Sequence, residues 1–315
     1  MKNNLELTDS QRERIFEKIK KKYLREQHPS TKPQGVILGG QPGSGKSGLP
    51  KKITEEFKED FIFISTDDLR PYHPAYKKLL QNPKTVQNAA NDVSEYANDW
   101  TEKLIKHCIE NRYNLIIDST LGNDLTITNK TIDMLKSNGY QVHLRAMAIP
   151  AIISRLSIFL RYEEQFAENG FARWTQMKDH NDRFKNLEIN LLQLISMYKL
   201  DSLKFYERVF DDYETIGIEC VESLGQKNIK NWAGFDNSRE ITIDKIPYLI
   251  NTVNRIGNII QQTDRNKLDF ETFVQNDLSF LQDFEIEIKE LSPYIIELIY
   301  PLSDDSKGIQ EFSNS

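Results

Sequence analysis

Short, uninterrupted runs of apolar residues alternate along the chain with longer segments in which apolar residues recur at helical spacing. The apolar runs, which we interpret as strands, lie at 35–39, 61–65, 114–117, 140–148, 203–210 and 216–221. Runs without polar alternation are typical of strands that are buried on both faces of a sheet. We expect the last two runs to pair with each other.

The segments between these runs carry the helical pattern. Helices are predicted at 8–27, 45–58, 85–111, 125–137, 150–169 and 175–199. The first begins at Thr8, with Gln11 at the reciprocal position of a capping box. Strands that alternate with helices of this length indicate βαβ units, so the predicted fold class is α/β, with a mostly parallel sheet flanked by helices.

Composition divides the chain into three parts. Two prolines between residues 28 and 33 predict a linker, so residues 1–34 are assigned to an N-terminal helix and linker. Residues 35–262 hold the alternating strands and helices and are predicted to form one domain. Beyond them the character changes, because residues 264–315 carry twelve acidic and four basic side chains. We interpret residues 263–315 as an acidic, helical C-terminal extension.

Charge and cysteine content narrow the function classes. The chain of 315 residues has 41 Lys and Arg against 47 Asp and Glu, and its net charge of −6 argues against broad electrostatic binding of nucleic acid. The two cysteines, Cys108 and Cys220, exclude a disulfide scaffold and fit a reducing compartment. We find neither a secretory signal nor a run of about 18 apolar residues that could span a membrane. These features predict a cytoplasmic protein with no nucleic-acid or membrane partner.

A glycine-rich motif follows the first apolar run. Its residues, which fit G-x-x-x-x-G-K-[ST] at every fixed position, are Gly40, Gln41, Pro42, Gly43, Ser44, Gly45, Lys46 and Ser47. The glycines let backbone N–H groups point at phosphate oxygens, and the N-terminus of the following helix adds a favourable dipole. Lys46 is expected to reach the β- and γ-phosphates of a nucleotide, and the Ser47 hydroxyl to bind Mg²⁺.

Carboxylates follow two further strands of the predicted sheet. Asp118 comes directly after the third apolar run and resembles a Walker B element, which makes it a candidate ligand of Mg²⁺ or of the substrate. Ser119 and Thr120 add hydroxyl groups at the same edge of the sheet. Asp67 follows the second strand, where a kinase that phosphorylates a hydroxyl needs a carboxylate to accept the proton. The alternative for Asp67 is a cap on the following turn.

Three arginines, Arg155, Arg161 and Arg173, lie in or between the two helices after the fourth strand. Phosphoryl transfer needs cations near the charge on the equatorial oxygens, and a bidentate guanidinium suits this role better than an ammonium group. Arg161 and Arg173 are therefore candidates for a lid-like pair. Surface helices also carry arginines without such a role, and spacing alone leaves both interpretations open.

Several segments between about residues 8 and 225 together resemble the zeta toxin family, the toxin half of epsilon/zeta-type toxin–antitoxin systems. The matching segments are the phosphate loop preceded by Gly39, Asp67 six residues before His73-Pro74, the stretches 113–120, 136–140 and 146–150, Arg161-Tyr162-Glu163, and Ala172-Arg173 followed by His180. Their shared order and spacing make the resemblance more specific than the phosphate loop alone.

The resemblance implies a P-loop kinase that uses ATP and Mg²⁺. Its expected reaction is transfer of the γ-phosphate to the 3′-hydroxyl of UDP-N-acetylglucosamine or a related UDP-sugar, which inhibits cell-wall synthesis. The matching motifs imply that Asp67 is the general base and that Lys46 binds phosphate. They also imply that Arg161 and Arg173 clamp the transferred phosphoryl group.

The resemblance also suggests a substrate pocket and a partner. Asp118 and Thr120 match the family's Glu-Gly-Thr element, which lies in the substrate pocket and is Asp118-Ser119-Thr120 in this chain. The family further implies an antitoxin protein that covers the nucleotide site and blocks ATP.

Other functions remain open from the residues alone. One is a P-loop kinase of another hydroxyl substrate, and another is a nucleotide-binding interaction module that a partner restrains. Asp67 distinguishes the last of these, because an interaction module has no need of a carboxylate at that position. The acidic extension also has two interpretations. It is either a helical cap with a solvated acidic face or a segment that folds back near the nucleotide site and inhibits the kinase in cis.

Overall fold

The computed structural model describes residues 5–82, 84–198, 200–210, 215–224, 233–263, 267–278 and 291–299. The strands in these residues are β1 (Gln34–Gly39), β2 (Ile62–Ile64), β3 (Leu115–Ile117), β4 (Gln141–Met147), β5 (Ser202–Phe210) and β6 (Thr215–Leu224). Each corresponds to one of the apolar runs, so the strands predicted from the sequence are confirmed.

The α-helices of the described residues are α1 (Asp9–Tyr23), α2 (Leu49–Phe57), α3 (Thr66–Leu69), α4 (Tyr76–Leu80), α5 (Ala89–Asp92), α6 (Ser94–Glu110), α7 (Thr126–Ser137), α8 (Ala151–Asn169), α9 (Met177–Met197), α10 (Ala233–Ser238), α11 (Ile246–Thr263), α12 (Lys267–Asp277) and α13 (Pro293–Ile299). Short 3₁₀ turns lie at Lys46–Gly48, Arg70–Tyr72 and Ile243–Lys245. None of the helices seen in the described ranges combines the length and apolar character needed to cross a bilayer.

The strands form one sheet in the order β2-β3-β1-β4-β5-β6. All neighbouring pairs are parallel except β5 and β6, which are antiparallel as expected. The chain visits β2 and β3 on one side of β1 and then passes to β4 on the other side. Such a reversal of strand order opens a crevice at the carboxyl ends of the strands, where ligands bind in open α/β sheets.

Side chains of β1 alternate between two hydrophobic layers. Ile37 belongs to a cluster that includes residues of α6, α7 and α9, whereas Val36 and Leu38 belong to one that includes residues of α2 and α8. Each fully buried aliphatic side chain stabilises the fold by about 1.5–3 kcal/mol relative to its exposed state. Helices therefore cover both faces of the central strands, which explains why these strands lack polar alternation.

The prediction of one continuous helix at 85–111 is wrong. The structure has two helices there, α5 and α6, with Val93 between them at φ −110° and ψ 5°. The Ser94 hydroxyl donates to the Asn91 carbonyl at 2.7 Å. Local side-chain bonds of this kind compete with the helical hydrogen-bond ladder. The apolar periodicity continues across the break, and for this reason the pattern did not reveal it.

The N-terminal helix packs on the central part of the chain. The capping box is confirmed, because the Thr8 hydroxyl accepts a bond from the Gln11 N–H at 3.3 Å and the Gln11 side chain accepts one from the Thr8 N–H at 2.9 Å. Phe16 and Ile19 are buried in the same cluster as residues of α6. The predicted boundary at residue 34 therefore separates segments that share a core.

The described part of the acidic extension packs on α8. The rings of Phe270 and Phe273 in α12 each lie 5.4 Å, centroid to centroid, from the ring of Phe159 in α8. Arg155 of α8 also forms an ion pair with Asp277 at the end of α12. These contacts favour the helical cap over the inhibitory segment. Further apolar residues of the acidic extension, which could also pack on the kinase domain, lie outside the described residues. They are Phe280, Leu281, Phe284, Ile286 and Ile288.

We expect a chain that ends after Gln262 to lose stability and solubility. The truncation uncovers Phe159, and losing the packing of even one buried aromatic ring typically costs about 3–5 kcal/mol. Urea unfolding of the truncated and full-length chains measures the difference. A truncated chain with an unchanged unfolding midpoint and raised kinase activity at low salt would contradict the cap and favour inhibition in cis.

Candidate active site

Three loops begin at the same edge of the sheet. Ile37 of β1 and Ile64 of β2 both pair with Ile117 of β3, so β2 and β3 end side by side and β1 continues two residues further to Gly39. Asp118, the residue after β3, donates its N–H to the Ile64 carbonyl at 2.9 Å. The phosphate loop and both carboxylate-bearing loops therefore start from one edge of the sheet, as the sequence predicted.

The phosphate loop adopts backbone angles that favour glycine. Gly43 and Gly45 have φ values of 77° and 89°, in the left-handed region. A Cβ atom on Gly43 would lie 2.1 Å from the Ser154 carbonyl oxygen, so the loop packs directly against α8. After the loop, the 3₁₀ turn Lys46–Gly48 leads into α2. The helix predicted at 45–58 therefore begins with a tighter turn.

Two polar side chains of the loop are buried. Gln41 donates from Nε2 to the Ser154 hydroxyl at 3.1 Å and to the Ile149 carbonyl at 3.4 Å, so its side chain anchors the loop to the protein. The Ser44 hydroxyl is also buried, and within the described part of the chain nothing hydrogen-bonds it. An unpaired buried hydroxyl is costly, and an anion with acceptor oxygens would remove that cost.

Lys46 and Asp118 are in contact, with 3.0 Å between Lys46 Nζ and Asp118 Oδ1. Lys46 also donates to the Ser119 carbonyl at 2.9 Å, and Asp118 Oδ2 accepts a bond from the Ser65 hydroxyl at 3.0 Å. The side chains of the pair are 15% and 27% exposed, so water reaches them only partly. The structure thus joins the predicted phosphate-binding lysine to the predicted metal or substrate ligand.

The oxygen donors at this edge fit a Mg²⁺ ion. Mg²⁺ takes hard oxygen ligands and is commonly held by one or two protein groups together with substrate phosphates. Asp118 offers a carboxylate beside Lys46, and the exposed Ser47 lies in the 3₁₀ turn before α2, at the end of the loop that would bind those phosphates. Within the described ranges, no cluster of three or more His, Cys, Asp or Glu side chains forms a separate metal site.

Thr120 lies in a turn that α9 holds in place. Its hydroxyl accepts a bond from the Gly122 N–H at 3.3 Å, and its carbonyl accepts one from the Gly40 N–H at 3.1 Å. Asn190 of α9 donates to the Leu121 carbonyl at 2.8 Å. These bonds hold Thr120 beside the phosphate loop.

Asp67 is exposed and paired with an arginine. It lies in α3, and its Oδ1 is 2.6 Å from Arg70 Nη1. The Asp67 side chain is 71% exposed, whereas the Arg70 side chain is 16% exposed, so a partly buried cation contacts a carboxylate that faces the solvent. The N-cap of α3 is Ser65. The alternative role of Asp67 as a cap is therefore not supported.

Arg161 and Arg173 lie near the same carboxylate. Desolvation lowers the pKa of Arg161, the neighbouring Arg173 lowers it further, and Asp67 opposes this. Desolvation and Arg70 lower the pKa of Arg173, and Asp67 again opposes them. Arg161 is exposed and donates to the Thr175 hydroxyl at 3.4 Å. Both predicted arginines are therefore within electrostatic range of Asp67, and among the described residues no ion pair joins either of them to it.

Asp68 connects the two halves of the site electrostatically. Burial raises the pKa of this carboxyl group, and the charges of Asp67 and Asp118 raise it further, whereas Lys22 lowers it. The Ser65 hydroxyl bonds to Asp118, and Ser65 is the N-cap of the helix that holds Asp67. The two carboxylates therefore follow neighbouring strands at the same edge of the sheet.

Two arginines that the sequence analysis missed also contact the site. Arg70 pairs with Asp67, and its position three residues later in a helix is a signal that could have been used. Arg208 of β5 donates to the carbonyls of Gly43 and Ser44 in the phosphate loop. No local pattern marks Arg208, because its partners lie more than 160 residues away in sequence.

Arg155 and His73 have structural contacts. Arg155, in the same helix as Arg161, pairs with Asp277 and bonds to Asn181. His73 is buried and bonds to the Leu5 carbonyl at 3.0 Å through Nε2.

A mostly parallel sheet whose central strand leads into a phosphate loop, with a lysine–aspartate pair and an arginine-paired carboxylate on loops at the same sheet edge, defines a P-loop kinase-like protein. Comparison with known families makes this more specific. The family model described as Zeta toxin matches residues 19–215. The chain belongs to the zeta toxin family, as the resemblance in the sequence predicted.

Individual relatives agree with this. The chain is 31% identical to Toxin zeta of Streptococcus pyogenes over 229 residues, which cover 71% of this chain and 79% of that protein. It is 25% identical over 261 residues to L-seryl-tRNA(Sec) kinase of Methanococcus maripaludis, covering 79% and 89%. A chain solved in the structural characterisation of the PezAT chromosomal toxin–antitoxin system of Streptococcus pneumoniae shares the fold, with a TM-score of 0.67, 23% identity and coverage of 82% and 98%.

Proposed function

We propose that this protein is a kinase that transfers the γ-phosphoryl group of ATP to the 3′-hydroxyl of UDP-N-acetylglucosamine or a related UDP-sugar, and so inhibits cell-wall synthesis. The observation that supports the proposal is that the Lys46–Asp118 pair and Asp67 lie on neighbouring loops at one edge of the sheet, where the Ser65 hydroxyl bonds to Asp118 and Asp67 follows two residues later. Transfer to a hydroxyl needs a donor site and an acceptor base that face each other. Membership of the zeta toxin family supports this choice of acceptor.

Each side chain has a distinct part in this reaction. Asp67 takes the proton of the acceptor hydroxyl, whose oxygen then bonds to the γ-phosphorus while the bond to the β-phosphate oxygen breaks and ADP leaves. Arg70 keeps the Asp67 carboxylate oriented toward the cleft. Lys46 holds the donor phosphates, and Arg161 and Arg173 stabilise the charge that spreads over the γ-phosphoryl oxygens.

Mg²⁺ when bound neutralises the developing charge on the β- and γ-phosphate oxygens. Ser47 and Asp118 are the residues that would hold it. Asp118 now contacts Lys46, so a bound nucleotide would place its phosphates where this ion pair is formed. Thr120, beside the phosphate loop, is the residue whose hydroxyl we propose donates a hydrogen bond to the sugar nucleotide.

A protein antitoxin is the partner that we propose, and the cytoplasm is the location. The support is indirect: the chain belongs to the zeta toxin family, and a solved structure with the same fold comes from a toxin–antitoxin system. ATP and UDP-sugars are both available in the cytoplasm. An antitoxin that covers the phosphate loop would block ATP without any change in the fold of the kinase.

The proposal is tested by incubating the purified chain with ATP, Mg²⁺ and UDP-N-acetylglucosamine and analysing the products by mass spectrometry. We expect ADP and a sugar nucleotide that has gained one phosphoryl group. Other UDP-sugars, free N-acetylglucosamine and a seryl-tRNA serve as alternative acceptors. ATP binding together with phosphorylation of an unrelated acceptor would support the kinase and reject the UDP-sugar. ATP binding without any transfer would favour an interaction module.

Replacing Arg161 or Arg173 with Ala should lower turnover more than it weakens substrate binding. Charge on the γ-phosphoryl oxygens is largest in the transition state, so we expect losses of turnover on the order of 10²–10³-fold. Steady-state kinetics with each substrate varied in turn separates the two effects. Arg155→Ala, in the same helix as Arg161, is the matched control, because Arg155 pairs with Asp277 away from the cleft. If only the Michaelis constant rises, the affected arginine binds substrate and does not stabilise the transition state.

A further inference from the structure

The guanidinium of Arg208 lies directly behind the phosphate loop. Its Nη2 donates to the Gly43 carbonyl, and its Nε donates to the Ser44 carbonyl at 3.3 Å. Its Nη1 donates to the Ser157 hydroxyl of α8 at 2.9 Å. The contact with the loop is close, since a Cβ atom on Gly45 would lie 2.7 Å from Arg208 Nε. One side chain thus links β5, α8 and two consecutive carbonyls of the loop.

These contacts fix the direction in which the loop presents its N–H groups. A trans peptide unit is planar, so its carbonyl and the N–H of the next residue point in opposite directions. Because Arg208 holds the Ser44 carbonyl toward β5, the Gly45 N–H points away from β5. Successive N–H groups of such a loop are the groups that hold phosphate oxygens.

The positive charge of Arg208 is buried without a neighbouring negative charge among the described residues. The residue is only 9% exposed, and no carboxylate within the described residues forms an ion pair with it. A buried cation without a counter-ion is destabilising, and an anion bound nearby relieves that cost. The phosphates of a nucleotide in the loop would supply such an anion.

Helix α11 lies near this arginine. Burial lowers the pKa of Arg208, and the nearby Tyr248 of α11 opposes the shift. The Tyr248 ring packs on Phe210 at the end of β5, with 4.4 Å between ring centroids. Tyr248 thus packs α11 against the strand that carries Arg208.

We propose that Arg208 is a positioning residue for the phosphate loop, holding its carbonyls back so that its N–H groups and the buried positive charge receive the nucleotide phosphates. This inference rests on the proposed nucleotide site. It assigns Arg208 a role in ground-state binding of ATP and ADP. It predicts little direct effect on the sugar nucleotide, because the contacts of Arg208 lie behind the loop and not in the acceptor half of the cleft.

The test compares Arg208→Met with Arg145→Met. Arg145 of the neighbouring strand β4 is fully buried and donates to Ser202 and to Glu56, so its loss removes a buried arginine without removing a contact to the loop. We measure the dissociation constants of ATP and ADP by calorimetry, and the melting temperature of each variant. Arg208→Met is expected to weaken both nucleotides by about 10- to 100-fold, because two charge-assisted hydrogen bonds to the loop are lost. Arg145→Met is expected to lower the melting temperature and leave the nucleotide affinities near those of the wild type.

Arg208→Lys keeps the charge and one donor, so it should bind nucleotide with intermediate affinity and raise the Michaelis constant for ATP more than that for the sugar nucleotide. If Arg208→Met does not fold, the nucleotide affinity of Arg208→Lys tests the role of Arg208 instead. Wild-type affinity in Arg208→Lys, or equal losses of affinity in Arg208→Met and Arg145→Met, would overturn the inference. If the wild-type chain itself binds neither ATP nor ADP, the proposed function fails before Arg208 is in question.

Discussion

Replacing Asp67 with Asn is expected to abolish phosphoryl transfer while ATP binding stays close to that of the wild type. The amide has the size of the carboxylate but cannot take the proton of the acceptor hydroxyl. Loss of a general base typically lowers turnover on the order of 10²–10⁴-fold. Because the contact of Asp67 is with Arg70 and not with the phosphate loop, the donor site should remain intact. Single-turnover transfer and calorimetric ATP binding measure the two quantities separately.

Asp68→Asn is the matched control for this variant. Asp68 is the adjacent carboxylate in the same short helix, but its charge interactions are with Asp67, Asp118 and Lys22. We expect a much smaller loss of turnover than in Asp67→Asn. If Asp68→Asn is the inactive variant and Asp67→Asn retains activity within a few-fold of wild type, the two carboxylates must exchange roles.

The parts of the site that the sequence could predict are those encoded in short stretches of chain. The phosphate loop is such a case, because its glycines at fixed spacing specify backbone angles that the structure shows at Gly43 and Gly45. Asp118 is another, since a carboxylate directly after a buried strand must lie at the sheet edge. The α/β fold followed from the same local regularity of apolar runs and helical segments.

The parts that could not be predicted depend on contacts between distant segments. Arg208 bonds to the carbonyl of Ser44, 164 residues earlier in the chain, and the residues around Arg208 form no pattern that predicts this contact. Arg155 lies in the same helix as Arg161, and its partner is Asp277 in α12. Side-chain direction on a long helix is set by what packs against it, which spacing alone does not contain.

The ion pair between Lys46 and Asp118 determines how the donor half of the cleft should respond to substitution. With Lys46 present, the Asp118 carboxylate is compensated at 3.0 Å. Without Lys46, the same carboxylate has no cation beside it, close to the place where nucleotide phosphates are expected. Removing the lysine therefore weakens nucleotide binding in two ways. The attraction between Lys46 and the phosphates is lost, and the Asp118 carboxylate then repels the phosphates.

Replacing Lys46 with Ala should for this reason weaken nucleotide binding and transfer together. Lys46 is expected to contact the donor phosphates in both the ground state and the transition state, so the dissociation constant for ATP and the turnover should both suffer. We expect a loss on the order of 10²–10³-fold in turnover per Michaelis constant. Lys52→Ala, an exposed lysine in the helix that follows the loop, is the control and should behave like the wild type.

The double variant Lys46→Ala with Asp118→Asn separates the two effects. If uncovered repulsion contributes, the double variant should bind metal-free ADP more tightly than Lys46→Ala does, because the unpaired carboxylate is gone. Its transfer activity should stay low, since Asp118 is also proposed to hold Mg²⁺. Equal ADP affinity in the single and double variants would show that the repulsion is negligible. Unchanged ATP affinity and turnover in Lys46→Ala itself would mean that the glycine-rich loop is not a working nucleotide site.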